Sequence, residues 1–592
     1  MKKTSVLFRV LLPLVLLLTL AVLVSGCSDK NKGKEQDTGN ATQGPAASAT
    51  ESRTVELEPV TAGPNDIVCH NPDFEFEYTD EQYNTLNKKI DQLYAYLESG
   101  KPEDQEAFLK LYKEVEDGDY EDLMGQYMII TIQNSVYTTY PDIADTLASM
   151  SEKYNDALQR LIVMYDDIDE SPYGEEFYKD WTAEEKELAI RMAKNYTDEL
   201  VALRVEYDKL ETEYKALADD AAYMQKSADI YLRAVELNKQ IAKLSGYDNY
   251  MDYAYDMTYE RDYTPADVAK MKEFVKTYIV PMLSPLLGRV NVLNMKLSDS
   301  PADYMSYNTY MNSSLDKLGV VPEMGEGSTS LKKTVDEYLT SIDPDMCTEY
   351  HNLFDNNHYI IAHNGDVSQS GAFTAFLYHK DYPMAYFGPG YQGLFTVIHE
   401  YGHAYAMQKS GTGDIPMDLA EVHSQGNEWL FCAYLKQKMP ENAYEFLVDY
   451  KLFSDLASIC NCLAVNEFEQ YVYTHDITNS AAFDTIMENV LKELGIYDFF
   501  KKIYADPVSY WHYVCIDNPG YYISYAMSLV PSITIFSEAS ADFDKTADAY
   551  HSLAAVGEYD TFLGKLEAAG ISSPFEEKTY TDLKAVYEEL IK

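Results

Sequence analysis

The sequence predicts a large, mainly α-helical protein with one small β-sheet. Residues 80–345 place apolar residues and tyrosines three or four positions apart, which is the spacing of helices that pack on other helices. Convincing strand patterns are confined to residues 357–390, and the helical pattern resumes after 391. The chain has 592 residues, which is ample for a large enzyme, and no fixed-period repeat that would indicate a solenoid.

The chain begins with a predicted targeting segment. Lys2, Lys3 and Arg9 form a basic start, an apolar run follows, and the sequence VSGC ends at Cys27. This ending resembles a bacterial lipobox, so we expect residues 1–26 to be removed as a lipoprotein signal peptide. An uncleaved membrane anchor is the alternative. Acyl chains on Cys27 would attach the protein to the membrane, outside the cytoplasm.

Residues 27–65 are predicted to be a flexible, lipid-anchored linker. They are polar and rich in Gly, Ala, Ser and Thr, so they bury too little apolar surface to fold. The whole chain has a formal net charge of −50 and a pI near 4.4. This charge argues against a nucleic-acid partner and against adhesion to anionic lipid headgroups. We interpret it as a contribution to solubility at a cell surface.

Residues 66–350 are predicted to form a helical N-terminal region. Its longest periodic stretch, residues 198–244, has an irregular and tyrosine-rich apolar stripe, which favours a helical wall over a coiled coil. Pro281 and Pro285 interrupt the next helical pattern. In the strand segment that follows, glycines mark the turns: Gly365, Gly371, Gly388 and Gly390.

The sequence HEYGH, at residues 399–403, is the most informative motif. On a helix, His399 and His403 lie on one face, where both imidazoles can bind one metal ion. Glu400 is one residue further on, close enough to reach a water molecule on that metal. Two histidines and an adjacent glutamate are the components of a hydrolytic zinc site.

Glu421 is the candidate third ligand. It lies 22 residues after His399, near the start of a second helical pattern that follows a break at residues 411–416. A returning helix would bring Glu421 over the first helix and complete a site of two histidines and one glutamate with an open position for water. An acidic residue that complements the helix dipole is the alternative explanation. We expect one Zn²⁺ per chain.

The segments around His399 and Glu421 resemble those of a known family. HEYGHAYA followed by DLAEVHSQGNEW is similar to the M3 metallopeptidases, the group of thimet oligopeptidase and oligoendopeptidase F. The resemblance covers about residues 360–530. It implies that Glu421 is the third zinc ligand, that Glu428 supports a ligand histidine, and that Gly402 is the family's small residue within the motif.

The resemblance extends to SYWHYVCIDNPGYYISYAMS. It implies that His512, Tyr522 and Tyr525 face the zinc and bind the carbonyl oxyanion of the substrate. The match requires one extra residue, so Tyr521 can take the place of Tyr522. The chain contains 53 tyrosines, and a buried structural tyrosine is the alternative explanation for each of them.

The family resemblance also implies an architecture. Two helical halves enclose a deep channel: residues 66–350 form a wall, and residues 351–592 form the zinc-peptidase region with the small sheet beside the zinc helix. The segment Met384-Ala385-Tyr386 is expected to pair with the substrate backbone as an added strand.

The sequence therefore predicts a lipid-anchored, extracytoplasmic, zinc-dependent endopeptidase that hydrolyses oligopeptides through a metal-bound water activated by Glu400. A metallocarboxypeptidase or dipeptidase on a similar scaffold is one alternative, although the sequence identifies no cation for a terminal carboxylate. A lipoprotein that binds peptides without cleaving them is another. The oligomeric state stays open. We expect mostly free, buried thiols after Cys27, with one or two disulfides still an alternative.

Overall fold

A computed structural model describes residues 62–63, 66–215, 217, 222–413, 415–554 and 561–590. The predicted signal peptide, Cys27 and almost all of the predicted linker lie outside these residues, so the predicted lipid attachment stays a prediction. Among the residues that the structure describes, no helix combines the length and the apolar composition that crossing a bilayer requires. The six cysteines after Cys27 are free thiols, and four of them are buried.

The prediction of a mainly helical fold is confirmed, and every element between residues 80 and 355 is a helix. The helices of this region are α1 (Asp80–Ser99), α2 (Gln105–Glu114), α3 (Glu121–Val136), α4 (Pro141–Glu170), α5 (Gly174–Phe177), α6 (Ala183–Asn195), α7 (Asp198–Lys215), α8 (Tyr223–Leu244), α9 (Tyr250–Tyr253), α10 (Pro265–Phe274), α11 (Val280–Ser298), α12 (Pro301–Met311), α13 (Leu315–Leu318), α14 (Thr329–Ile342) and α15 (Pro344–Asp355).

The helices after the sheet complete the fold. They are α16 (Leu394–Ser410), α17 (Met417–Leu435), α18 (Glu441–Thr474), α19 (Phe483–Glu493), α20 (Tyr497–Ile503), α21 (Trp511–Val514), α22 (Ile523–Ala541), α23 (Phe543–Ala554), α24 (Phe562–Ala569) and α25 (Glu577–Leu590).

Local sequence signals explain many helix ends. Helix α1 begins with a capping box, in which Thr79 and Gln82 satisfy each other's backbone N–H groups, and it ends at Gly100 in the left-handed conformation. The periodic stretch 198–244 forms two helices, α7 and α8, which pack against each other. The stretch is therefore two packed helices rather than one long helix, and the predicted channel wall stays a prediction.

The small sheet has four strands: β1 (Ile67–Val68), β2 (Tyr359–Ala362), β3 (Ala372–Leu377) and β4 (Tyr382–Phe387). Their order is β1-β2-β4-β3, with β2 and β4 parallel and the other neighbours antiparallel. The strand prediction for residues 357–390 is confirmed. The two-residue strand β1 was not predicted, because nothing in so short a segment indicates a distant partner.

The sheet order corrects one prediction. Ala385 pairs with Tyr359 of β2 on one side and with Thr374 of β3 on the other. Met384, Ala385 and Tyr386 therefore lie in an interior strand whose two edges are already occupied, so this segment cannot accept a substrate strand. Among the described strands, β3 lies at one edge of the sheet and pairs on one side only.

The hydrophobic core has three parts. One cluster lies within residues 78–193, a small one lies against the sheet, and the largest draws residues from 200 to 587. The largest cluster thus joins side chains from both sides of the predicted boundary at residue 350. It includes most of the buried apolar residues of α16 and α17, which carry the candidate site.

Candidate active site

Helix α16 carries the HEYGH motif and is buried along most of its length. It packs between the sheet, through β3 and β4, and the returning helix α17. A Cβ atom at Gly402 would lie 2.5 Å from the His423 carbonyl oxygen and 2.8 Å from Ser424 Cα. Glycine at this position is therefore what lets the backbones of α16 and α17 approach each other.

The close approach of these helices brings together the three candidate metal ligands. One ligand atom each from His399, His403 and Glu421 lies within 4.8 Å of the others. Glu421 Oε2 lies 3.7 Å from His399 Nε2 and 4.0 Å from His403 Nε2. Ligands at about 2.1 Å from a tetrahedral zinc ion are about 3.4 Å apart, so the three atoms have nearly the separation that zinc requires.

His399 is oriented by Glu428, as the resemblance implied. Glu428 Oε1 lies 2.7 Å from His399 Nδ1, and its other oxygen accepts a hydrogen bond of 3.0 Å from Lys451 Nζ. A carboxylate only accepts, so Nδ1 carries a proton, and this leaves Nε2, which lies 3.7 Å from Glu421 Oε2, as the nitrogen available to a metal. Burial raises the pKa of Glu428, but the charges of Lys451 and His399 outweigh burial and lower it to about 2.

The electrostatics of the cluster favour a cation. Burial lowers the pKa of His399, but Glu428, Glu400 and Glu421 outweigh burial and raise it to about 9. The pocket thus stabilises positive charge at this imidazole. At His403, by contrast, burial and the neighbouring imidazoles hold the pKa well below its usual range, so this ring is neutral, as a metal ligand must be.

A buried nitrogen without a hydrogen-bond partner among the described residues is a further indication that these side chains can hold a metal ion. His403 Nε2 is buried and has no hydrogen-bond partner within the described part of the chain. A buried ring nitrogen without a partner is costly unless something else binds it. Glu421 Oε2, which faces this nitrogen, accepts one hydrogen bond of 3.0 Å from Ser424 Oγ. Two imidazole nitrogens and a carboxylate oxygen are a ligand set that zinc uses in hydrolytic sites.

Glu400 is buried beside this cluster, and only 1% of it is exposed. Thr374 of the edge strand β3 donates hydrogen bonds to the Glu400 main-chain oxygen at 3.0 Å and to its Oε2 at 2.9 Å. Burial raises the pKa of Glu400, His399 and Thr374 lower it, and the result is about 7. A carboxylate with this pKa can both accept and return a proton near neutral pH.

The structure places His512 in a different set of contacts. Its Nδ1 lies 2.8 Å from Ser227 Oγ on α8, and its ring stacks on Trp511 at 3.6 Å. Its Nε2 lies 3.4 Å from Asp484 Oδ1, without the geometry of a hydrogen bond. Within the described residues, these contacts do not bring His512 to the three-ligand cluster, and its predicted role stays a prediction.

The three candidate tyrosines form one aromatic group. The Tyr521 ring lies 5.2 Å from that of Tyr525 and 5.7 Å from that of Tyr522, and Tyr522 and Tyr525 are 5.9 Å apart. The Tyr521 hydroxyl lies 3.7 Å from the sulfur of Met417, the first residue of the helix that carries Glu421. Helix α22, which carries Tyr525, packs along α17. The group therefore borders the helix of the third ligand.

Sequence reasoning missed residues that hold this arrangement. The Asn427 side chain donates a hydrogen bond of 2.7 Å to the Ile398 carbonyl oxygen and so ties α17 to α16. Buried Arg261 donates hydrogen bonds of 2.9 Å to the Gly520 carbonyl oxygen and to Ser524 Oγ. Glu469 accepts a hydrogen bond of 2.9 Å from Gly520 N. Each of these contacts joins residues far apart in the chain, so no local pattern indicated them.

Comparison with solved structures identifies the fold. The chain is similar to a protein assigned as an oligoendopeptidase F, with a TM-score of 0.67 and 17% identity over 88% of this chain and 99% of that one. It is similar to PZ peptidase A with an inhibitor, with a TM-score of 0.66 and 17% identity over 87% and 99% of the two chains. For oligoendopeptidase F from Enterococcus faecium the TM-score is 0.56, with 14% identity over 86% and 97%.

No family model matches the chain, and no curated protein matches it. At these identities the solved structures establish a shared fold: a helical protein with a small four-stranded sheet, similar over nearly the whole length of those chains. The activity of this chain has to be argued from its own side chains.

Proposed function

We propose that this protein is a zinc-dependent endopeptidase that hydrolyses oligopeptides. The observation that carries the proposal is the buried cluster of His399, His403 and Glu421 with Glu400 beside it. These four side chains provide three ligands and one base, which is what metal-assisted peptide hydrolysis requires. The similarity of the fold to an oligoendopeptidase F and to PZ peptidase A supports a peptide substrate.

The proposed roles follow from the contacts. Two imidazoles and Glu421 would hold one Zn²⁺, which when bound supplies Lewis acidity toward water and the scissile carbonyl. Glu400 accepts a proton from the attacking water and returns it to the leaving amine. Thr374 holds the Glu400 carboxylate in place through its hydrogen bond to Oε2. Glu428 fixes the tautomer of His399.

Two further roles complete the proposal. Tyr525, together with Tyr522 or Tyr521, donates hydrogen bonds to the developing oxyanion, because this group borders the helix of Glu421. A peptide backbone pairs with the edge strand β3, whose Thr374 already contacts Glu400. Strand addition at β3 replaces the pairing at Met384–Tyr386 that the sheet order rules out.

The competing functions differ in what they demand. A carboxypeptidase needs a cation for the terminal carboxylate of its substrate. The buried cation near the tyrosine group, Arg261, already contacts Asp418, Gly520 and Ser524, which argues against that role. A protein that only binds peptides has no use for a buried base with a pKa of about 7 beside three metal ligands.

The decisive experiment uses internally quenched peptides with both ends blocked. We expect the soluble 28–592 fragment to cleave them, chelator to abolish cleavage, and zinc to restore it. Glu400→Gln should keep bound zinc and peptide affinity but lower kcat about 10²–10⁴-fold, the usual contribution of a general base. Cleavage restricted to peptides with free ends would establish the exopeptidase function instead, and undiminished turnover in Glu400→Gln would refute the mechanism.

The cellular location is a separate proposal. We infer from the lipobox-like sequence VSGC at residues 24–27 that the mature protein is anchored outside the cytoplasm by lipid on Cys27. Cys27→Ser should abolish the incorporation of labelled fatty acid and leave peptidase activity per molecule unchanged. Fatty acid found on the Cys27→Ser protein would contradict this assignment.

A further inference from the structure

A second group of metal-ligating side chains lies on helices α14 and α15. Asp336, Cys347 and His351 each offer one ligand atom, and these atoms all lie within 4.8 Å of one another. Within the described ranges, the only other such group is the proposed catalytic cluster. The proposed peptidase chemistry uses none of these three residues.

Helices α14 and α15 form a hairpin, and this hairpin brings the three side chains of the second group together. Asp343 ends α14 and caps α15, so the two helices meet at a single residue. Asp336 lies seven residues before this corner and His351 lies eight after it, which places them opposite each other. Thr340 and Cys347, three before and four after, form the next pair. Residues four apart share a helix face, so all four side chains point between the two helices.

A contact within the hairpin confirms the first of these pairs. His351 Nε2 lies 2.9 Å from Asp336 Oδ1. The side chains of His351 and Asp336 are about a third exposed, at 31% and 33%, so an ion and a coordinating water can enter from solvent. Cys347 is a free, half-buried thiol.

We propose that Asp336, Cys347 and His351 bind a second divalent ion of the zinc class. Sulfur, imidazole nitrogen and carboxylate oxygen together suit a borderline-soft ion such as Zn²⁺, whereas Ca²⁺ and Mg²⁺ prefer oxygen alone. On binding, the Cys347 thiol releases its proton to solvent and the thiolate coordinates the metal. Water occupies the fourth position.

This second ion supports the catalytic helix rather than the chemistry. Tyr401 follows Glu400 in the chain, and its hydroxyl donates a hydrogen bond to the Met346 carbonyl oxygen on α15. The Tyr401 ring also packs edge-on against Tyr350 at 5.1 Å. An ion that links α14 to α15 therefore stiffens the surface on which α16 rests. Its loss should lower the melting temperature and leave the kcat of the correctly folded enzyme nearly unchanged.

Metal analysis of the zinc-loaded, dialysed 28–592 fragment tests the proposal. We expect about two zinc ions per chain in the wild type and about one in Cys347→Ser, in His351→Ala and in Asp336→Asn. Glu421→Ala should also keep about one, at the second site. Cys69→Ser is the matched control, because Cys69 is the other free cysteine that is not buried, and it should keep both ions.

Cobalt substitution gives an independent readout. The proposed catalytic cluster contains no sulfur, so a thiolate-to-cobalt charge-transfer absorption in the near ultraviolet can come only from a cysteine-containing site. We expect this absorption in the wild type, in Glu421→Ala and in Cys69→Ser, and its loss in Cys347→Ser. A single zinc per wild-type chain that Glu421→Ala removes entirely, or cobalt binding without this absorption, would overturn the proposal. Asp336→Asn keeps the thiol and decides the question if Cys347→Ser fails to fold.

Discussion

Replacing Glu428 with glutamine tests whether the buried carboxylate behind His399 acts on the metal site. Glu428 makes two contacts, one with His399 Nδ1 at 2.7 Å and one with Lys451 Nζ at 3.0 Å. Glutamine keeps the size and one acceptor oxygen but removes the negative charge. It therefore weakens the interaction that fixes the tautomer of His399 and makes its Nε2 a better ligand.

The expected loss in zinc affinity is about 10–100-fold, the usual effect of removing such a partner of a ligand histidine. At 1.4 kcal/mol for each factor of ten, this corresponds to about 1.4–2.8 kcal/mol of binding free energy. The structure favours the upper part of this range, because Glu428 is largely buried and makes short contacts with both His399 and Lys451.

Asp455→Asn is the matched control. Asp455 Oδ2 also contacts Lys451 Nζ, at 3.3 Å, but it accepts a hydrogen bond from Trp429 Nε1 rather than from His399. Both variants therefore leave Lys451 with one carboxylate partner, and only Glu428→Gln alters the histidine. Zinc affinity is measured by competition with a chelator of known affinity. Equal affinities in the two variants would refute the proposed role of Glu428.

Three further predictions follow from single contacts. Gly402→Ala should weaken zinc binding and lower the melting temperature, since the new Cβ would lie 2.5 Å from the His423 carbonyl oxygen and would push α17, with Glu421, away from α16. Normal zinc affinity and a normal melting temperature would contradict this packing argument. Tyr525→Phe should lower kcat with little change in KM or zinc content if its hydroxyl meets the oxyanion, whereas a lower melting temperature with normal kcat would identify a structural tyrosine. Burial raises the pKa of Glu469 to about 8, above about 4.3 in the unfolded chain, so the stability that the protonated carboxyl contributes is complete below pH 4 and is lost as the pH rises toward 8. Calorimetry should therefore show Glu469→Gln gaining stability relative to the wild type over this pH range, and melting temperatures that change in parallel with pH in the two proteins would refute the burial argument.

Sequence reasoning could bring the three candidate metal ligands together because their geometry is local. His399 and His403 are four residues apart on one helix, and Glu421 lies on the next helix after a short break. Two packed helices and a glycine at their contact are enough to bring these side chains together. The helical fold class could be predicted for the same reason, because the apolar periodicity of a helix is visible in residues that are close together in the sequence.

Sequence reasoning was wrong about β4 because strand order is not local. The pattern of residues 357–390 indicates three strands but does not say which of them is central. The parallel pairing of β2 with β4 covers the edge that a substrate strand would need. Thr374, which joins β3 to Glu400 through a hydrogen bond, lies 26 residues before Glu400 in the chain and belongs to no recognisable sequence motif. Its position could be identified only from the folded arrangement.

The tyrosine group shows how the N-terminal region takes part in the site. Arg261 lies 4.5 Å from the ring centre of Tyr259 and 3.8 Å from Asp418, which is one turn before Glu421 on α17. The same guanidinium holds the Gly520 carbonyl oxygen, next to the tyrosines. Removing one partner of a buried ion pair typically costs about 3–5 kcal/mol, because the other charge stays buried and unpaired. A single residue from the region before 350 therefore links helix α17, which carries Glu421, to Gly520 beside the tyrosine group.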